Sequence, residues 1–159
     1  MNISLAALLK FLNDRHYEAK IQTETQQIYA VLKIGGSEFP LFLKVYPSNE
    51  LLQLLVFMPV PTKKGVEADL ARLLHFINKE LDLPGFGMDE QNGVAFYRCM
   101  IPSPEKKVDP TLLESYLKAI DAVCDQVAPA VLAVATGLKS FNEILDKARE
   151  IHQQSQRPS

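Results

Sequence analysis

The chain has 159 residues, 47% of them hydrophobic and 23% charged, which suits one globular domain with a core of its own and needs no metal or disulfide to hold it. Its formal charge is −2, and its basic residues fall as scattered pairs, Lys63 with Lys64 and Lys106 with Lys107, so no stripe invites a nucleic-acid backbone. The two cysteines, Cys99 and Cys124, have no C-x-x-C spacing and read as small buried hydrophobes, not as metal ligands or a redox pair.

The first element is a helix from Ile3 to about Asn13, capped by Asn2, with Leu5, Leu8, Leu9 and Leu12 at helical spacing. Lys10 interrupts its apolar run, no basic stretch precedes it and no small-residue cleavage site follows, which argues against a secretory signal or a membrane span. The charge-poor segment from Gln126 to Leu138 is too short and Ala-rich to cross a bilayer, so the expectation is a cytoplasmic protein with no membrane partner.

HYEAKIQ (16–22) alternates apolar and polar residues and predicts a strand, and QIYAVLKI (27–34), FPLFLKVY (39–46) and LLQLLVFM (51–58) predict three more. Gly35-Gly36-Ser37 and Pro47-Ser48-Asn49 are short turns, so the simplest arrangement is an antiparallel meander. Pro40 predicts an edge or a bulge in its strand, because proline donates nothing to a ladder. The third and fourth strands carry apolar residues on both faces, Phe39, Leu41, Leu43 and Val45 on one side and Phe42 and Tyr46 on the other. Helices of the same chain could cover both faces, but antiparallel sheets commonly leave one face to water, so a partner copy of the chain is expected as the second layer; this is the sequence basis for a homodimer.

An amphipathic helix follows from Val66 to Leu81, then a short strand Phe86 to Asp89, a turn Glu90 to Gly93 and a strand Val94 to Ile101. Asp109-Pro110 starts a long helix to about Thr136, with Thr111 and Glu114 as a competing capping box, and Pro129 either kinks or splits it. Ser140 and Glu143 form a capping box for a last helix ending near His152, and QQSQRPS reads as a disordered tail. The resulting class is α+β, a meander of four to six antiparallel strands packed with helices. Residues 1–136 form the main domain, 137–153 a C-terminal helical extension and 154–159 the tail.

Chemistry is hard to place. Gly85-Phe86-Gly87 lacks the third glycine of G-x-G-x-x-G, position 90 being Glu, and follows a helix instead of a strand. Asp82, Asp89 and Glu90 lack the alternating spacing of a calcium loop, and His16, His75 and His152 show no paired metal spacing, so neither cofactor nor metal is expected. An enzyme would require some of His16, His75, Asp89, Arg98 and Cys99 to converge in space.

LLHFINKELDLPGFGMDEQNGVAFYRCMIP (73–102), with Ile77-Asn78 near a helix end, an acidic turn and the V-x-x-x-R strand from Val94 to Arg98, followed by the helix from Thr111, resembles the YbjN-like family of bacterial sensory-transduction regulators over residues 1 to 133. That family is similar in architecture to class I type III secretion chaperones, small dimeric α+β proteins that hold a segment of an effector on apolar patches. The resemblance implies no catalytic residues and makes Asn78 and Arg98 structural family residues, bonding across a helix–sheet junction. The expected function is a non-enzymatic, chaperone-like or regulatory protein-binding module, a homodimer with a polypeptide partner or secreted effector. Phe42, Tyr46 and Phe57 are the candidate partner-binding residues, with core or dimer contacts as their plainer role. The alternative is a regulator that senses a small ligand, which an apolar pocket between helix and sheet would favour.

Overall fold

The computed structural model describes residues 1–46 and 50–155; the turn Pro47-Ser48-Asn49 and the last four residues of the expected tail lie outside them. The described residues form α1 (Leu5–Asn13), β1 (Lys20–Gln22), β2 (Gln27–Ile34), β3 (Ser37–Tyr46), β4 (Leu51–Phe57), α2 (Glu67–Glu80), β5 (Phe86–Asp89), β6 (Val94–Pro102), α3 (Pro110–Ala135) and α4 (Phe141–Ser155). The strands make one six-stranded antiparallel sheet in the order β1-β2-β3-β4-β6-β5, the α+β class expected. The chain divides into two compact units, Met1–Pro59 with Phe96–Gln126, and Val60–Ala95 with the chain from Val127 onward.

In the first unit alternation sorts the side chains, Gln53 alone among the outward residues of β4 being buried as well. Ile28, Ala30 and Leu32 of β2, Phe39, Leu41 and Leu43 of β3, Leu52, Leu54 and Val56 of β4, and Tyr97, Cys99 and Ile101 of β6 are all buried. They share one face of the sheet, and the same unit buries Leu8, Phe11 and Leu12 of α1 and Leu113, Leu117, Ile120 and Cys124 of α3. The β2–β3 hairpin closes on Gly35 and Gly36, whose φ angles of 55° and 80° suit the two-residue turn that pairs Ile34 with Ser37.

Several expectations need correction here. Ser4, not Asn2, caps α1, its hydroxyl accepting the Ala7 N–H at 3.3 Å, because Asn2 is taken up in a backbone bridge to Lys107. The strand predicted over 16–22 shrinks to three residues: His16 and Glu18 take positive φ angles of 65° and 51°, and Asn13 exchanges two hydrogen bonds with the backbone of Ala19. Pro40 is not on an edge strand. It pairs with Val31 inside the sheet, but the β3–β4 register begins only at Leu41, so it stands at the margin of that ladder. At α3 the first of the two expected caps holds: Asp109 accepts the N–H groups of Thr111 at 2.7 Å and Leu112 at 3.1 Å, as expected of it, and the competing box is not the one used. The long helix neither ends nor divides at Pro129, and α4 runs past His152 to Ser155.

The second unit is built on α2 and α4. Phe141, at the start of α4, donates its N–H to Asp69 at 3.1 Å, meets Phe76 edge-on at 6.3 Å and lies under Arg72 at 4.4 Å. Ser140 and Glu143 make the expected reciprocal capping box, and those bonds hold the Glu143 carboxyl below its usual range. The last turn of α2 is tied to β5 through Asn78.

Candidate functional site

The alternation that buries one face of the first unit's sheet leaves the other half open. Tyr29, Phe42, Phe57 and Phe96 lie on it, one from each of β2, β3, β4 and β6, and none is fully buried. Their ring centroids step across the strands at 5.2, 5.6 and 6.4 Å, the last two contacts edge-to-face at 80° and 75°. Such pairs contribute about 0.5–1.5 kcal/mol each beyond area burial, enough to hold the rings in one preformed ladder. Leu55 sits beside them, and Met100 is 40% exposed.

The register gives this face a charge pattern. Lys20, Tyr29, Phe42, Leu55 and Arg98 are successive partners across five strands, so one row begins and ends on a cation. Lys44, Gln53 and Met100 make the neighbouring row. Lys33 stands opposite Glu38, and the cavity that Lys20, Tyr29 and Lys33 line at the β1 edge also holds Glu18 and Asp121. Neither Lys20, Lys33, Lys44 nor Arg98 is held in an ion pair among the described residues, though Lys44 lies 5.0 Å from the Tyr46 ring and Arg98 5.9 Å from the Phe96 ring.

Of the residues singled out from sequence, Phe42 and Phe57 occupy the middle of the ladder, while Tyr46, opposite Leu51, lies two rows from Phe42 and donates its hydroxyl to Gln53 Oε1 at 3.2 Å. Asn78 joins helix to strand: its amide donates to the Phe86 carbonyl at 2.8 Å and its oxygen accepts from the N–H groups of Gly85 and Phe86 at 3.1 and 2.9 Å. Arg98 makes no such junction, because the alternation of β6 turns it outward on the aromatic face. Tyr29 and Phe96 were not singled out, and the signal that would have found them is their place in the same period-two alternation as Phe42 and Phe57.

The acids and glycines of 85–93 make a turn. Asp89 accepts the N–H groups of Gln91 and Asn92 and the Asn92 side-chain amide, the last of these chiefly lowering its carboxyl pKa, and Gly93 takes φ 61°. Among the described residues no two of His16, His75, Asp89, Arg98 and Cys99 share a hydrogen bond or ion pair, and no group of three His, Cys, Asp or Glu residues is placed to hold a metal. Both cysteines are free and buried, and burial pushes the Cys124 thiol up to about 12 and the Cys99 thiol up as well, far from the thiolate a nucleophile needs. No helix among the described residues is long and apolar enough to cross a membrane.

A family model described as "Putative bacterial sensory transduction regulator" matches residues 4–133, most of the chain. The chain belongs to the YbjN family. Among solved structures, YbjN from E. coli matches this YbjN-family chain with a TM-score of 0.59 at 11% identity, over 82% of this chain and 96% of that one. The ExsC–ExsE complex matches with a TM-score of 0.50 at 18% identity, over 80% and 97%. ExsC is a type III secretion chaperone, so this member of the YbjN family has a secretion-chaperone-like fold. No curated protein matches the sequence at a significant level.

Proposed function

We propose that the chain is a non-enzymatic binding module of the cytoplasm, chaperone-like or regulatory, that works as a homodimer and holds a segment of another polypeptide such as a secreted effector. The observation that carries this reading is the half-open aromatic ladder Tyr29–Phe42–Phe57–Phe96, a preformed apolar platform of the kind polypeptide-binding surfaces present. The likeness to ExsC, solved in complex with ExsE, supports it. Phe42 and Phe57 serve as anchors, Tyr46 flanks them, and Asn78 holds the helix–strand junction.

A small-ligand sensor would call for an enclosed apolar cavity. The cavity of about 410 Å³ beside β1 and β2 is lined instead by Arg15, His16, Glu18, Lys20, Lys33 and Asp121 with Tyr17, Tyr29 and two aliphatic residues, and one of about 530 Å³ against α2 is a wide-open surface cleft lined by Arg72, His75 and Lys79 with Ala71, Phe76 and Phe141; neither is an enclosed apolar pocket between helix and sheet.

Light scattering on the purified protein and mass spectrometry of what co-purifies from its own host test the reading together. A dimer mass with one stoichiometric polypeptide is the expected result. A monomer that travels alone would overturn it.

A further inference from the structure

Resting on that polypeptide-binding reading, we infer that the open sheet face of the first unit takes an acidic, apolar polypeptide segment, whose carboxylates pair with Lys20 and Arg98 while its apolar side chains lie over Phe42 and Leu55. The row Lys20–Tyr29–Phe42–Leu55–Arg98 crosses five strands with a cation at each end and apolar residues between. Four inter-strand steps put the two terminal α-carbons about 19 Å apart. A segment lying along this row presents acids separated by about six residues if it is extended, with an apolar stretch between them.

Charge decides against the other occupants. A second copy closing face to face would set the same patch against itself, gathering Lys20, Lys33, Lys44 and Arg98 of both copies into one interface, with Glu38 and, at the β1 edge, Glu18 and Asp121 as the nearby acids. On this inference the partner copy does not cover this face, contrary to the expectation from the apolar faces of β3 and β4, and the dimer of the proposed function uses another surface. Single-stranded nucleic acid would need free ring faces on which bases stack. Here the rings pack edge to face against one another, so part of each face is already taken, and Arg98 lies over Phe96. The net charge of −2 gives phosphate no wider attraction.

The test is selection of a displayed random peptide library on the intact chain, repeated on the Lys20→Glu/Arg98→Glu variant, both sites being exposed and free of ion pairs so that the fold, checked by circular dichroism, is retained. Peptides with Asp or Glu flanking an apolar stretch are expected, and their affinity should fall about tenfold or more in the variant and weaken with salt. Basic or uncharged peptides, or affinity unchanged by the charge reversal, would overturn the inference while leaving polypeptide binding standing. So would tight binding of a labelled oligo-dT probe that competes with the selected peptides, or a photo-crosslinker placed at Leu55 that captures a second copy of the chain. Failure to select any peptide would overturn this inference and the proposed function together.

Discussion

Leu43 of β3 lies directly opposite Leu54 of β4, and neither has any solvent exposure; one residue along, Phe42 opposes Leu55 on the half-open face. A carboxylate introduced at Leu54 has neither water nor a partner, so Leu54→Asp is expected to cost more than about 4 kcal/mol and to unfold the first unit. Leu55→Asp, one position away, should cost about 1 kcal/mol or less. Urea unfolding of the two variants checks this, and equal losses would mean that the two faces are not distinct.

Asn78 closes three hydrogen bonds between the end of α2 and the start of β5. Asn78→Ala removes all three and leaves two N–H groups and a carbonyl to find other partners, a loss of about 2–3 kcal/mol. Hydrogen exchange should show opening of Gly85 and Phe86 well before the first unit. A variant as protected as the parent would show that the junction is held elsewhere.

The buried Cys124 thiol makes the fold sensitive to alkali. Its folded pKa is raised from 9.0 to about 12, so the unfolded chain loses this proton first, and the stability it contributes is complete below pH 9 and declines as pH rises from 9 towards 12. Between pH 7 and pH 10 one such thiol accounts for a loss of about 1.4 kcal/mol. Cys124→Ala should lower stability at pH 7 by leaving a small cavity yet flatten the decline by that amount, measured by urea unfolding under reducing conditions at both pH values. Cys99, also raised by burial, and Tyr97, raised by burial first and by its Cys99 hydrogen bond next, leave a residual slope in the variant.

Pro129 sits inside α3 with its ring exposed, and it has no N–H to offer the carbonyl of Asp125. Since α3 keeps its helical course through this position, Pro129→Ala should restore a backbone bond at little packing cost and raise stability by about 1–2 kcal/mol. Thermal unfolding would register this as a higher Tm. A lower Tm would show that the proline geometry is itself required.

The helices and most strands were legible because their cause is local: leucines at three- and four-residue spacing, the Ser140–Glu143 box, and the period-two runs of β2, β3 and β4. The first strand misled because alternation in 16–22 is overridden by two left-handed residues and by Asn13, whose bonds to Ala19 no pattern announces. The aromatic ladder was half legible. Phe42 and Phe57 alternate within neighbouring strands, but Tyr29 and Phe96 join them through register, and β4 meets β6 only across a long intervening stretch of chain. The same non-local register turns Arg98 from a junction residue into the cation at the end of a row.

The pairing of β4 with β6 also has a consequence for biosynthesis. Strands β1 to β4 leave the ribosome in sequence and can pair as they emerge, but Phe96–Pro102 follows only after Val60–Ala95 has been made. During that interval β4 is an edge strand rich in leucine, with unpaired backbone groups and no protecting neighbour, the species most prone to join another nascent chain. Slowing translation between residues 60 and 95 should lengthen that exposure and increase aggregation, whereas the same delay after Pro102 should not.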